Sequence, residues 1–171
     1  MKKYELTDDS ITFMGRKLFR IRAIRSFNDV AVGDLGGYIE KEENLSHDGD
    51  AWIYNDAWIS GNARIYDYAR IYGNAWISGF ARICGYARIC GDAWIHSGTD
   101  YLCFQGLGSQ NRNTTFFKCE DGHIHVSCGC FSGTIQEFET KVKKTHGDSK
   151  YAKEYLACIE VVKIHFKEEN K

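Results

Sequence analysis

From Ala51 to Gly98 the chain repeats with a period of six and no slip: AWIYND, AWISGN, ARIYDY, ARIYGN, AWISGF, ARICGY, ARICGD, AWIHSG. An α-helix repeats near 3.6 residues and a plain strand at 2, so neither element alone accounts for this spacing. Within each hexad Ala and Ile stand two apart, and in an extended chain they point the same way. The Trp or Arg between them points the other way. The positions after Ile are rich in Gly, Asn and Asp, residues that accept a positive φ at a corner. Each hexad is therefore a short strand followed by a corner, with Ala and Ile inward. Every third hexad is alike: the Trp-bearing hexads of Trp58, Trp76 and Trp94 fall together, as do those of Arg64 and Arg82, and those of Trp52, Arg70 and Arg88. The second period of 18 predicts three flat faces per coil, a triangular prism of parallel strands.

An aliphatic residue followed four positions later by a small one, as in Ile53 to Ala57 and Ile59 to Ala63, resembles the hexapeptide-repeat family. That resemblance implies a left-handed β-helix over residues 45–98. Eight hexads make fewer than three coils, and so short a solenoid needs both ends covered. Residues 1–44 are expected to form a β-rich cap, with a hairpin-like pair of strands over residues 4–25. Residues 99–171 are expected to form a small α+β domain of three strands and two helices. The strands are "DYLCFQG", "TTFFKC" and "HIHVSC", with Asp121-Gly122 as the turn between the last two. Thr134 and Glu137 form a capping box for a first helix ending near His146. Tyr151 to Phe166 has helical apolar spacing. The fold class is thus mainly β, with a C-terminal α+β unit. Proline is absent, so turns must rest on Gly, Asn and Asp.

The 171 residues carry a net charge of −1, which argues against general nucleic-acid binding. The charge is unevenly placed. Residues 1–27 hold seven Lys/Arg and three acids, residues 28–50 one Lys and seven acids, so any anion site must be local. No apolar run is long enough to span a bilayer and no charged-then-apolar leader opens the chain, so a cytoplasmic location is expected. The seven cysteines include no CxxC and suit buried thiols in a reducing compartment. Cys119, His123, His125, Cys128 and Cys130 lack the spacing of a zinc knuckle, and no metal or cofactor is expected.

Candidate binding residues come from three places. The segment GLGSQNRNTT, Gly106–Thr115, has the composition of a ligand loop, with Ser109, Asn111, Arg112 and Thr114 able to hold an anion. It is no Walker loop, since no Gly-Lys-Ser/Thr follows. Arg70 and Arg88 stack beside Tyr72 on one face, a pairing that suits phosphate and base but equally shields a sheet. Trp58, Trp76 and Trp94 form an outward ladder, to be covered by a flank or by a second subunit. The segments "LGGYIEKEENLS", "GSQNRNTTFF" and "VSCGCFSGTIQEF" resemble phage and prophage proteins that carry such repeats, some of which sequester nucleotide immune signals. The resemblance implies a non-catalytic protein, in the host cytoplasm, holding a cyclic nucleotide or an ADP-ribose-like ligand as an anti-defence sponge; a homo-oligomer is expected, built through the Trp face or the C-terminal domain. The alternatives are a hexapeptide acyltransferase, with His96 as general base, or a purely structural assembly module. No nucleophile elbow and no paired carboxylates are present.

Overall fold

The computed structural model describes residues 1–167; the last four residues of the expected C-terminal domain lie outside the described part. Strands β1 (Tyr4–Phe13) and β2 (Arg16–Ala23) form an antiparallel hairpin. Its turn places Met14 and Gly15 both at positive φ, 46° and 74°, the two-residue geometry that matches strand twist. Strand β3 (Leu35–Ile39) pairs antiparallel with β2 and parallel with the prism. The hexads supply β4 (Trp52–Ile53), β5 (Trp58–Ile59), β6 (Arg64–Ile65), β7 (Arg70–Ile71), β8 (Trp76–Ile77), β9 (Arg82–Ile83), β10 (Arg88–Ile89) and β11 (Trp94–Ile95).

These strands pair parallel into three faces. The Trp face runs β3-β5-β8-β11, the second face β4-β7-β10, and the third β6-β9, continued by a bridge from Ile65 to Leu45. The fold is a short left-handed parallel β-helix of about three turns. Hydrogen bonds climb one coil at a time, as from Trp58 N to Ala75 O (2.8 Å) and from Tyr72 N to Ile89 O (2.8 Å). Inside, Ile39, Ile59, Ile77 and Ile95 stack up one face, and Ile53, Ile71 and Ile89 up the second. Leu45, Ile65 and Ile83 complete the third, all at most 1% exposed. Each such side chain stabilises the prism by about 1.5–3 kcal/mol through burial. The alanines fill the space beside them because nothing larger fits between a corner and the next isoleucine.

The regular coil is 18 residues, as Ile53 to Ile71, but the first is longer. Ile39 pairs with Ile59 and Leu45 with Ile65, each 20 residues on. The extra length sits between Leu45 and Ile53. There the buried ammonium of Lys3 donates to the carbonyls of Gly49 (3.1 Å) and Ala51 (2.8 Å), satisfying groups the coil leaves unpaired.

The other end is closed by an antiparallel sheet of β12 (Tyr101–Leu107), β13 (Arg112–Lys118), β14 (Ile124–Cys128) and β15 (Phe131–Thr134). Three strands were expected here. The fourth is only four residues long and follows a tight turn at Gly129 (φ 61°), which makes it indistinct in composition. Alternation along β13 divides the two cores. Phe117 belongs to the prism core and Phe116 to a second core with Val126, Phe138, Tyr155 and Val162. Tyr101 Oη donates to Arg82 O (2.8 Å) and Arg88 N to Thr115 Oγ1 (3.0 Å), tying the sheet to the last coil. Helices α1 (Ile135–His146) and α2 (Lys150–His165) cover the sheet's far side. The Thr134–Glu137 capping box opens α1 as expected. No helix of the described residues is long and apolar enough to cross a membrane.

Candidate functional site

The expected loop Gly106–Thr115 is mostly strand. Leu107 pairs with Arg112, Phe104 with Thr114, and only Gly108–Asn111 turns. Its polar composition suggested a loop, but β-branched threonines carry the pairing and Gly106 (φ 77°) absorbs the irregularity. Asn111 takes a positive φ of 49° and is exposed, serving the turn. Thr114 is fully buried and its hydroxyl donates to Cys128 Sγ (3.1 Å), so it faces the domain core rather than solvent.

Ser109 and Arg112 open onto a cleft of about 260 Å³ between this turn, the Cys128–Phe131 turn and helix α1. Helix α1 adds Lys141, Thr145 and His146, none of which the sequence reading singled out. Phe131 and Tyr155 provide aromatic wall, and the His146 ring stacks on Tyr155 at 5.7 Å and 27°. The Arg112 guanidinium lies directly against Gly129, whose missing side chain makes room for it. Among the described residues, neither Arg112 nor Lys141 has a carboxylate or hydrogen-bond partner, and no acid lines the cleft. Glu154, on helix α2, accepts from Gly108 N (3.1 Å). Burial pushes the Tyr155 phenol well above its usual range, so it stays protonated and donates to Leu107 O (3.3 Å).

Arg70, Arg88 and Tyr72 share the second face of the prism, with Arg70 in register with Arg88. Arg70 is held by Asp29 (3.1 Å) and Tyr72 stacks on Tyr54 at 4.4 Å. The Tyr54 hydroxyl donates to the same Asp29 (3.0 Å). Arg88 instead reaches the carbonyl of Gly129 (3.4 Å), the turn that Arg112 meets from the other side. The structure thus brings Ser109, Arg112 and, across one turn, Arg88 together; Arg70 and Tyr72 stand apart in a knit of their own.

Trp58, Trp76 and Trp94 stack in register up the first face. Phe13, at the hairpin tip, packs on Trp58 (4.6 Å) and on Trp76 (5.0 Å), while Trp94 keeps 38% of its surface exposed. His96 follows Trp94 and sits one coil above Ser78. Its Nδ1 is hydrogen-bonded to Ser78 Oγ, and its ring meets Trp76 and Trp94 edge-on at 5.1 Å each. Asp100 fixes the backbone here, accepting from His96 N and Ser97 N at 2.9 Å each. Below His96 a groove of about 260 Å³ runs between the hairpin tip and the prism, lined by Phe13, Arg16, Ser60, Asn62, Trp76 and Ser78. Phe80, 77% exposed, borders it, and its N–H donates to His96 O (3.1 Å). His96 is thus exposed, held at one ring nitrogen and flanked by two indoles, and a neutral imidazole can take up a proton at its other nitrogen.

A hollow of about 600 Å³ on the third face sets Glu42 and Glu43 against Arg64 and Arg82, so its charges offset. No group of three or more His, Cys, Asp or Glu side chains that could hold a metal ion occurs among the described residues.

No protein-family profile matches the chain. Over 80 residues it is 40% identical to an Escherichia coli (strain K12) protein named as an uncharacterized acetyltransferase, YdcK. The alignment takes in 38% of this chain, and the chain spans about a quarter (24%) of that relative's length. The match supports the hexapeptide β-helix; it lends nothing to the expected phage sponge role.

Proposed function

We propose that the chain is an acyl-transfer protein of the hexapeptide-repeat kind, with His96 as general base. The observation that carries this is the exposed His96 at the open end of the Trp ladder, held by Ser78, a residue that itself lines a groove with an apolar rim. Similarity to part of an acetyltransferase supports it. In the tautomer that donates Nδ1–H to Ser78 Oγ, Nε2 is free to take a proton. An acceptor hydroxyl or amine loses its proton to Nε2 as its O or N attacks the thioester carbonyl of an acyl-coenzyme A. The tetrahedral intermediate collapses, the C–S bond breaks, and the imidazolium returns the proton to the departing thiolate. Trp76, Trp94 and Phe80 would keep water from the thioester. General base catalysis of this kind contributes typically about 10²–10⁴-fold.

The test is thiol release from acetyl-coenzyme A in the presence of a panel of amine and hydroxyl acceptors, corrected for the protein's own seven cysteines. Release above background, abolished in His96→Ala, is expected. No release with any acceptor, or release unaffected by His96→Ala, overturns the reading in favour of a structural module. A second reading, capture of a small nucleotide-type molecule without turnover, is favoured by one separate observation: the unpartnered Arg112 and Lys141 on one cleft.

A further inference from the structure

We infer that the cleft between the Gly108–Asn111 turn, the Cys128–Phe131 turn and helix α1 binds the phosphate of a small molecule carrying one flat ring. Two cations without carboxylate partners, Arg112 and Lys141, line it together with the hydroxyls of Ser109 and Thr145 and the imidazole of His146. These groups come from two elements far apart in sequence, so the cluster is a product of the fold and not of a local charge run. Elsewhere Arg16 pairs with Glu40, Arg20 with Asp56, Arg22 with Glu5 and Arg70 with Asp29, while Lys17, Arg25, Lys144, Lys150 and Lys153 form no ion pair among the described residues but do not line this cleft. On the third face Arg64 and Arg82 share their hollow with Glu42 and Glu43. The cleft is thus a concavity with uncompensated positive charge in a chain of net charge −1. A guanidinium offers a fork that suits phosphate oxygens, and a lysine adds a point charge.

The rest of the lining selects what the phosphate is attached to. Phe131 gives flat apolar surface for stacking, while Val142 and Phe138 close the floor. At about 260 Å³ the cleft is smaller than the ~300–1,000 Å³ typical of drug-sized ligands. That volume seats one phosphate and one ring, as in a nucleoside monophosphate or one end of a larger nucleotide. A cyclic dinucleotide would leave its second half in solvent. Arg88, which holds the Gly129 carbonyl from the prism side, braces the turn against which Arg112 lies, and is a positioning residue for it.

The inference deepens the capture reading by naming its site and ligand chemistry, and it can fail separately from it. Calorimetric titrations would use inorganic phosphate, pyrophosphate, adenosine, AMP and ADP-ribose against the full chain, Arg112→Ala and Lys141→Ala. AMP should bind more tightly than phosphate and than adenosine, and binding should weaken as salt rises. Arg112→Ala should cost about ten- to a hundredfold in AMP affinity, the loss of one charge-assisted contact. Both variants remove exposed side chains and should keep the wild-type melting temperature. If AMP binds but neither variant weakens it, capture stands and the cleft is overturned. If no probe binds up to millimolar concentration, the cleft is overturned too. If adenosine binds as tightly as AMP, the phosphate assignment is refuted even though a ligand site exists.

Discussion

Two glycines at equivalent corners make a controlled test of the prism. Gly79 and Gly91 have nearly the same backbone, φ 61° and 65°. They differ in what lies above them. A Cβ on Gly79 would overlap the carbonyl oxygen of His96 in the next coil, inside the 3.0 Å floor that real Cβ contacts keep; a Cβ on Gly91 meets nothing within 4 Å. At Gly91, alanine incurs only the left-handed backbone cost of about 1–2 kcal/mol, partly offset by about 0.4–1 kcal/mol from a stiffer unfolded chain. The expected net loss is about 1 kcal/mol. At Gly79 the same loss applies, and the coils must also move apart, an overpacking cost of about 1–3 kcal/mol more. The affected carbonyl also accepts from Phe80 N, so the shift endangers a rung of the ladder. Urea unfolding reads both variants. With a slope near 2 kcal/mol/M, Gly79→Ala should lower the midpoint by roughly 0.5–1.5 M more than Gly91→Ala. Equal midpoint shifts would refute the claim that coil-to-coil contact, rather than φ, reserves these corners for glycine.

Ile71, fully buried between Ile53 and Ile89, should not tolerate a carboxylate: Ile71→Asp is expected to abolish the cooperative melt, and Ile71→Ala to cost about 2–5 kcal/mol. Stability should fall as pH rises above about 9. Desolvation pushes the Cys119 thiol up to about 12 from its ordinary value of 9.0, so the unfolded chain loses that proton first and the contribution present below pH 9 disappears. Lys3 works in the opposite sense. Burial lowers its ammonium to about 8 from 10.5, so between those values the unfolded state holds more protons and wild type should gain stability relative to Lys3→Met as pH rises. Thermal melts of both proteins from pH 7 to 10.5 check this, and a constant difference between them would show that Lys3 keeps its ordinary affinity for protons. The exposed Trp94 and Phe80 next to the partly covered ladder suit self-association; light scattering at tens of micromolar should give a mass above the monomer, and a monomer mass ends that expectation.

What could be read from the sequence follows from where the chain obeys a repeating constraint. From Ile53 to Ile95 each isoleucine must point inward and each corner must turn, so the periods of 6 and 18 are physical necessities and appear as text. The first coil obeys the same packing but not the same spacing. Its rungs Ile39 and Leu45 sit 20 residues below Ile59 and Ile65, because two extra residues before Ile53 are accommodated by the Lys3 ammonium. A search at a fixed period of 18 passes over them, although Gly36 and Gly37 hint at the crowding: a Cβ at Gly37 would meet the Ala57 carbonyl at 2.5 Å.

The two candidate sites differ in the same way. The Trp ladder and His96 are products of the repeat, so their stacking was predictable, and only the Phe13 cover needed tertiary information. The cleft is not periodic. Arg112 and Ser109 drew notice through the composition of one segment, but Thr114 in that segment turns inward because strand alternation outranks composition. Lys141, Thr145 and His146 lie on a helix whose polar face looks like any solvated face until α1 is folded against the sheet. Nothing local marks them, since a helix needs polar residues on its outer side whatever they face. The charge pattern does not mark them either. Helix α1 carries three lysines, of which Lys143 pairs with Glu139 one turn away; Lys141 has Glu137 at the same spacing, but that carboxylate is taken up by the Thr134 capping box. Lys141 is left without an ion pair by the cap at the helix start, not by its spacing. Only the fold shows that this lysine and Arg112 share one cleft.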